Sequence, residues 1–99
     1  DDATIRTTIA AAPARHGIVP CPHTACGLHV LETLRAQGDA RPWTVVATAH
    51  PAKFDSIVEP LVGHAVEMPP ALAACLARPA HGETLATDDV ALRERLLAR

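Results

Sequence analysis

The stretch Trp43-Thr44-Val45-Val46-Ala47-Thr48 gives the clearest indication of the fold in this sequence. Its β-branched residues and its continuous apolar character are typical of a buried strand in a parallel sheet. A single strand leaves the backbone groups on both of its edges without partners, so the other strands of the sheet must come from outside this chain. We therefore predict an α/β fold in which one strong, parallel strand is flanked by several helices.

Helices are predicted on both sides of this strand. Asp1 or Asp2 can cap a first helix, and Pro51 suits the first turn of the helix that follows the strand. The predicted helices cover residues 3–15, 24–38, 51–63, 71–77 and 88–97. A short second strand is predicted over residues 82–86. Since no repeat or low-complexity linker interrupts the pattern, we expect one segment, residues 1–99, without an internal boundary.

The composition excludes several classes of protein. Of the 99 residues, 48% are apolar and 20% are charged, and the formal net charge is −2. This balance is too apolar for a disordered chain, and without a Lys/Arg cluster it predicts no nucleic-acid or anionic-membrane partner. No apolar run approaches the roughly 20 residues of a membrane span, and the first residues do not have the pattern of a signal peptide. These features predict a cytoplasmic location.

The chain has few large side chains from which to build a core. Its 99 residues include 20 alanines but only two aromatic residues, Trp43 and Phe54. A core rich in alanine buries less apolar area per residue, so we expect the chain to pack against further protein. The three cysteines are an odd number in a chain without a secretory signal, which favours free thiols over disulfides.

Two clusters of residues are candidates for chemistry. The first comprises Cys21, His23, Cys26 and His29, which are four zinc-type ligands within nine residues. Structural zinc sites usually take two pairs of ligands from separated segments, so that the four side chains can converge as a tetrahedron. A helix that begins near Thr24 spreads these residues instead, which favours buried or incidental cysteines and histidines over a metal site.

The second cluster follows the predicted strand and comprises Thr48, His50 and Lys53. In open α/β sheets, ligands bind beyond the carboxyl ends of strands, where the next helix also offers free N–H groups. A threonine hydroxyl there can hydrogen-bond to a ligand ring atom, and Lys53, the only lysine, must be weighed as a Schiff-base nucleophile. The competing interpretation is that Thr48 is a cap and Lys53 a solvated surface charge.

Two motifs resemble those of the threonine synthase family. Pro22-His23-Thr24-Ala25 with Gly27 resembles its D-P-H-T-A-V-G motif, and Ala47-Thr48-Ala49-His50-Pro51-Ala52-Lys53-Phe54 is similar to its A-T-A-H-P-A-K-F motif over eight unbroken residues. The flanking residues 2–9, 68–70 and 88–99 also resemble the family. The likeness therefore covers essentially the whole chain, as the C-terminal segment of a longer enzyme.

The resemblance implies a pyridoxal-phosphate enzyme of fold type II, the tryptophan-synthase-β type, that converts O-phosphohomoserine and water to threonine and phosphate. It implies that Thr48 faces the pyridine nitrogen of the cofactor, as a neutral hydroxyl that leaves the ring a milder electron sink than a carboxylate would. It places His23 and Thr24 in a loop around the ring, with Thr24 as a helix cap. Lys53 aligns with a lysine that is not the Schiff-base residue.

The Schiff-base lysine and the phosphate-binding loop of that family lie N-terminal to these residues, so the resemblance implies no catalytic residue and no metal ligand here. The partner it implies is the rest of the enzyme. Cys21 stands where the family usually has Asp, and Cys26 where it usually has Val. Two alternatives stay open: a free-standing, non-catalytic binding module that retains the fold, and a small zinc module built on the first cluster.

Overall fold

Helices form all of the regular structure in residues 1–98, which are the residues that this computed structural model describes. They are α1 (Asp2–His16), α2 (Pro22–Ala36), a 3-10 turn (Pro51–Phe54), α3 (Asp55–Val62), α4 (Pro70–Leu76) and α5 (Asp89–Leu97). All the predicted helices are confirmed, with ends shifted by at most two residues, and the helix predicted over residues 51–63 consists of the 3-10 turn followed by α3. The chain divides into two compact units, one from Asp1 to Pro69 and a second that begins at Pro70.

The ends of α1 follow from the sequence. The Asp1 carboxylate accepts a hydrogen bond from the backbone N–H of Thr4 at 2.8 Å, which satisfies one of the free donors of the first turn. At the other end Gly17 adopts a left-handed conformation with φ 69°, and its N–H donates to the carbonyl of Pro13. This conformation costs glycine little because it has no Cβ.

The core of the first unit lies where α1, α2 and α3 meet. Ile9, Ala25 and Val58, one from each helix, are fully buried and in contact. Partly buried side chains that pack around them are Ile5, Val19, Phe54, Leu61, Val62 and Val66. The small Ala25 side chain at the centre allows the three helices to approach closely, so the core has few large residues, as the composition predicts.

An ion pair on the surface also joins α1 to α2. Both Arg15 Nη1 and His16 Nε2 donate to the carboxylate of Glu32 at 2.9 Å. The hydrogen bonds from His16 and from Arg15 hold the pKa of Glu32 below its usual range. Since Arg15 is largely exposed, solvent screens this pair, and the apolar core is the main contact between the two helices.

The predicted α/β fold is wrong, because residues 1–98 contain helices but no strand and no sheet. Residues 43–48 follow an irregular path, and so do residues 82–86. A strand needs a neighbouring strand to pair its backbone N–H and C=O groups, and no segment of the described chain runs beside residues 43–48 in that way. The predicted burial of this run is also wrong, since only Val45 is partly buried and the other five residues are exposed, and its partner within the described chain is a helix.

That partner is α2. Gly27 lies directly under Val45, and a Cβ added to this glycine would stand only 3.0 Å from Val45 Cγ1. Trp43 is held at the start of the segment, since its indole N–H donates to the Asp39 carboxylate at 3.1 Å. The Arg41 guanidinium lies 5.2 Å from the centre of the Trp43 ring and also binds Asp39. The absence of a side chain at Gly27 therefore sets how closely residues 43–48 approach α2.

The second unit contains α4 and α5. Asp88 caps α5, as predicted, by accepting from the backbone N–H of Val90 at 2.9 Å. The Arg95 guanidinium binds the Glu83 carboxylate. Leu76, Leu96 and Leu97 are exposed. Across both units, none of the helices in residues 1–98 combines the length and the apolar character needed to cross a membrane.

We expect Ile9→Ala to lower the free energy of unfolding by about 2–5 kcal/mol, because it removes a fully buried side chain and leaves a cavity. Ile57→Ala in α3 is the matched control. It deletes the same atoms from a side chain that is 39% exposed, so its cost should be smaller. Urea unfolding followed by circular dichroism measures both, and equal losses would contradict the assignment of the core.

Gly27→Ala tests the contact between α2 and residues 43–48. The added methyl group favours the helix by up to about 1 kcal/mol but overpacks against Val45 at a cost of about 1–3 kcal/mol. We therefore expect a net destabilisation of about 1 kcal/mol. In a Val45→Ala background the same change should stabilise the protein. Thermal unfolding of the four proteins measures this coupling, and an identical effect in both backgrounds would refute the contact.

Candidate functional site

An open groove of about 780 Å³ lies in the first unit. Its walls come from three places: the link into α2, the segment that contains Thr48, and the loop after α3. The residues that line it are Ile18, Val19, Pro20, Cys21, Thr24, Ala47, Thr48, Ala49, His50, Pro51, His64, Ala65, Val66 and Glu67. The groove thus brings Thr24 from the first motif together with Thr48 and His50 from the second.

The start of α2 forms a polar corner of this groove. Cys21, and not Thr24, is the N-cap residue, and its sulfur accepts from the backbone N–H of Thr24 at 3.4 Å. The predicted cap at Thr24 is therefore wrong, because Pro22 occupies the first helical position and moves the cap to the residue before it. The Thr24 hydroxyl also lies 3.2 Å from Cys21 Sγ. Both side chains are buried, and Cys21 is only 1% exposed.

The surroundings of Cys21 favour its thiolate. Burial raises the pKa of the thiol, but hydrogen bonds outweigh this effect and leave the pKa below its usual range. The strongest of these hydrogen bonds come from the Thr24 hydroxyl and from the backbone N–H of Thr24. A position at the N-terminus of a helix acts in the same direction, because the helix dipole stabilises negative charge there.

Thr48 lies beside this corner. Its side chain is exposed on the wall of the groove that Cys21 and Thr24 also line. The backbone on either side of Thr48 belongs to no helix. The second motif therefore places a hydroxyl group in the groove into which α2 begins. Thr24 and Thr48 are far apart in the sequence, and the sequence did not indicate that they line one groove.

The turn after Thr48 separates His50 from Lys53. His50 Nδ1 accepts from the backbone N–H of Ala52 at 3.2 Å, so this histidine caps the 3-10 turn while it lines the groove. Lys53 is exposed and is not among the residues that line the groove. This position agrees with the interpretation of Lys53 as a surface charge.

The opposite wall is attached to α3 by a side chain that the sequence analysis did not single out. Glu59 Oε1 accepts from the backbone N–H of Val66 at 2.9 Å, which fixes the loop that follows Gly63. Gly63 ends α3 in a left-handed conformation with φ 79°. A glutamate seven residues before a loop position gives no recognisable sequence signal, so only the tertiary structure reveals this contact.

His23, the histidine of the first motif, lies outside the groove lining. Its ring makes an edge-on contact with Phe54, with 5.4 Å between the ring centres. The contact joins the first turn of α2 to the end of the 3-10 turn, and so joins the two sequence motifs. His23 therefore has a packing partner in the structure, and its predicted place around a cofactor ring stays a prediction.

The four zinc-type ligands are not assembled into a site. Cys21 is buried as a helix cap, His23 contacts Phe54, and the Cys26 thiol donates to the carbonyl of Pro22 at 3.4 Å. Within residues 1–98, no three His, Cys, Asp or Glu side chains are grouped so that they could hold a metal ion. The three cysteines, Cys21, Cys26 and Cys75, are free.

Comparisons with known proteins agree with the two motifs. The family described as "Threonine synthase, C-terminal" matches residues 24–96. A threonine synthase from Methylobacillus glycogenes is 33% identical over 87 residues, which are 88% of this chain. The chain spans only 18% of the length of that relative. No solved structure matches. Because the family match covers most of the chain and includes two of the three walls of the groove, this protein belongs to the threonine synthase C-terminal family.

Proposed function

We propose that the chain is the C-terminal portion of a threonine synthase that converts O-phosphohomoserine and water to threonine and phosphate, and that its groove forms one wall of the pyridoxal-phosphate site. The observation that carries the proposal is the exposed Thr48 hydroxyl on the wall of the groove. It belongs to the motif that is unbroken over eight residues, and it lies in the stretch that the family match covers.

The chemistry of the groove fits a flat heteroaromatic ring. Val19, Pro20 and Val66 give it apolar surface for the faces of such a ring, and Thr48 adds a hydroxyl that can meet a ring atom. The groove lining contains no lysine and no arginine, so it has no side chain suited to the cofactor phosphate. These residues therefore suit the ring end of pyridoxal phosphate and leave the phosphate to other parts of the enzyme.

When bound, pyridoxal phosphate supplies an electron-withdrawing ring that stabilises negative charge on the substrate. The role of Thr48 is to hydrogen-bond the pyridine nitrogen through a neutral hydroxyl. The apolar walls of the open groove would cover a face of the ring. His50 holds the turn after Thr48 by capping it, which keeps the hydroxyl on the groove wall.

The remaining parts of the site are assigned to the rest of the enzyme. Lys53 is exposed away from the groove, and this position supports an attachment lysine elsewhere in the longer protein. Apolar side chains on α2 and the adjoining segment support an extensive contact with further protein, since Val30, Trp43 and Val46 are 57%, 46% and 70% exposed. A free-standing binding module is the alternative, and the experiments below distinguish the two.

Thr48→Val in the full-length protein is expected to weaken pyridoxal-phosphate binding roughly two- to tenfold and to lower turnover of O-phosphohomoserine. Valine keeps the branched shape but deletes a hydrogen bond worth about 0.5–1.5 kcal/mol. Thr48→Ser keeps the hydroxyl and should have a mild effect. Thr44→Val is the matched control, because Thr44 is also exposed on this segment but does not line the groove. Unchanged cofactor affinity and absorbance in Thr48→Val would refute the assignment.

Lys53→Gln in the same protein should leave the attachment of pyridoxal phosphate intact. Lys53 is exposed and is not among the residues that line the groove, so its amine has no role there in this proposal. The measurement is the absorbance of the bound cofactor before and after removal of free cofactor by dialysis. Loss of the covalently bound form in both Lys53→Gln and Lys53→Arg, neither of which has an amine that can form a Schiff base, would instead make Lys53 the attachment residue.

A further inference from the structure

We propose that His50 binds the ligand of the groove as a hydrogen-bond donor, through the N–H at its Nε2, and that the acceptor is an oxygen atom of the cofactor or of the substrate. The inference rests on the proposed function, because the ligand is the one proposed there. It adds a second role to a residue whose contact within the chain is the cap of the 3-10 turn.

The cap fixes which nitrogen of the His50 ring carries the proton. The backbone N–H of Ala52 donates to Nδ1 at 3.2 Å, and a backbone N–H can only donate, so Nδ1 holds a lone pair. In a neutral imidazole the proton then lies on Nε2. Within residues 1–98 no protein group is hydrogen-bonded to Nε2, and His50 is an exposed residue of the groove lining. The N–H of Nε2 is therefore available to a ligand.

The second histidine of the groove has the opposite arrangement. His64 Nδ1 lies 2.9 Å from the carbonyl oxygen of Ala65, which can only accept, so Nδ1 carries the proton and Nε2 of the neutral ring is an acceptor. The two backbone contacts thus give one wall of the groove an N–H donor and another wall a nitrogen acceptor. Of these two neutral imidazoles, only His50 offers a donor to a ligand.

Few other side chains of the lining are available to bind an oxygen atom. The lining has no lysine and no arginine. The Thr24 hydroxyl already lies 3.2 Å from Cys21 Sγ, and the Thr48 hydroxyl is assigned to the pyridine nitrogen. His50 is therefore the N–H donor that the side chains of this groove contribute.

The size of the groove leaves room for this contact. Its volume of about 780 Å³ lies in the range of pockets that hold a whole small ligand, so it can take more than the cofactor ring. The cofactor and the phosphorylated substrate both carry oxygen acceptors. Hydrogen bonds to ionised oxygens are stronger than those between neutral groups, which makes such an oxygen the favoured partner of Nε2.

The first experiment tests the state of the ring in the full-length protein without cofactor. The ring nitrogens of the histidines are isotopically labelled and observed by NMR, and the His50 signals are identified by their loss in His50→Asn. At about pH 8, where an ordinary histidine is neutral, the signals should show a protonated Nε2 and an unprotonated Nδ1. A proton on Nδ1 instead overturns the proposal, whatever the cofactor does.

The second experiment separates the donor from the cap with three variants of the full-length protein. His50→Asn keeps an acceptor for the turn but lacks the donor, His50→Gln keeps a donor at the ε position but lacks that acceptor, and His50→Ala lacks both. The donor should improve ligand binding roughly two- to tenfold in both comparisons, the unaltered protein against His50→Asn and His50→Gln against His50→Ala. His81→Asn, at an exposed position outside the groove, is the control and should have no effect.

Two constants identify the source of the oxygen. An absorbance titration gives the affinity for pyridoxal phosphate, and steady-state kinetics give the KM for O-phosphohomoserine. A loss of cofactor affinity assigns the oxygen to the cofactor, and a raised KM with unchanged cofactor affinity assigns it to the substrate. The same constants in the unaltered protein and in His50→Asn, or in His50→Gln and in His50→Ala, overturn the proposal.

Failure of this inference is distinguishable from failure of the proposed function. If Thr48→Val leaves the cofactor affinity unchanged, the proposed function fails, whatever the His50 variants do. If Thr48→Val weakens cofactor binding while His50→Asn changes neither constant, the proposed function stands and His50 only caps the turn.

Discussion

The structure of the first unit depends on the close packing of neighbours around the first two turns of α2. Ala25 is fully buried against Ile9 and Val58, and the Val45 side chain packs directly on Gly27 of the same helix. Both positions have the smallest side chains available, which is why two helices and an irregular segment can approach α2 together. A larger residue at either position has to displace a neighbour, since the core contains few flexible side chains that could move aside.

The groove is a consequence of this packing. Each of its walls is attached to the helices that meet in the core: one begins at the cap of α2, one lies across α2, and the third follows α3. Cys21 fixes the first wall by capping α2, and Glu59 fixes the third by binding the backbone of Val66. The first and third walls are therefore held by hydrogen bonds from side chains, and the second wall is held by the packing of Val45 on Gly27 of α2.

The sequence predicted the helices well and failed on the strand, for one physical reason. Helix ends are set by neighbours in the chain, such as Asp1 and Asp88 as caps and Gly17 as a terminator, so the sequence contains the whole signal. A strand is defined by its pairing with another segment. The apolar run at residues 43–48 met no such segment; only Val45 packs on a helix, and the other residues of the run are exposed. Periodicity alone cannot distinguish such a run from a buried strand.

The sequence alone was enough to predict the helices, to reveal the motifs of the family and to identify Thr48 as the candidate hydroxyl. The tertiary structure was needed to show that Cys21 caps α2 and lines one groove with Thr48, that Lys53 does not line this groove, and that Glu59 fixes the opposite wall. These facts depend on residues that are far apart in the chain and close in space. Such contacts follow from how the three helices pack, and short-range sequence patterns do not encode that packing.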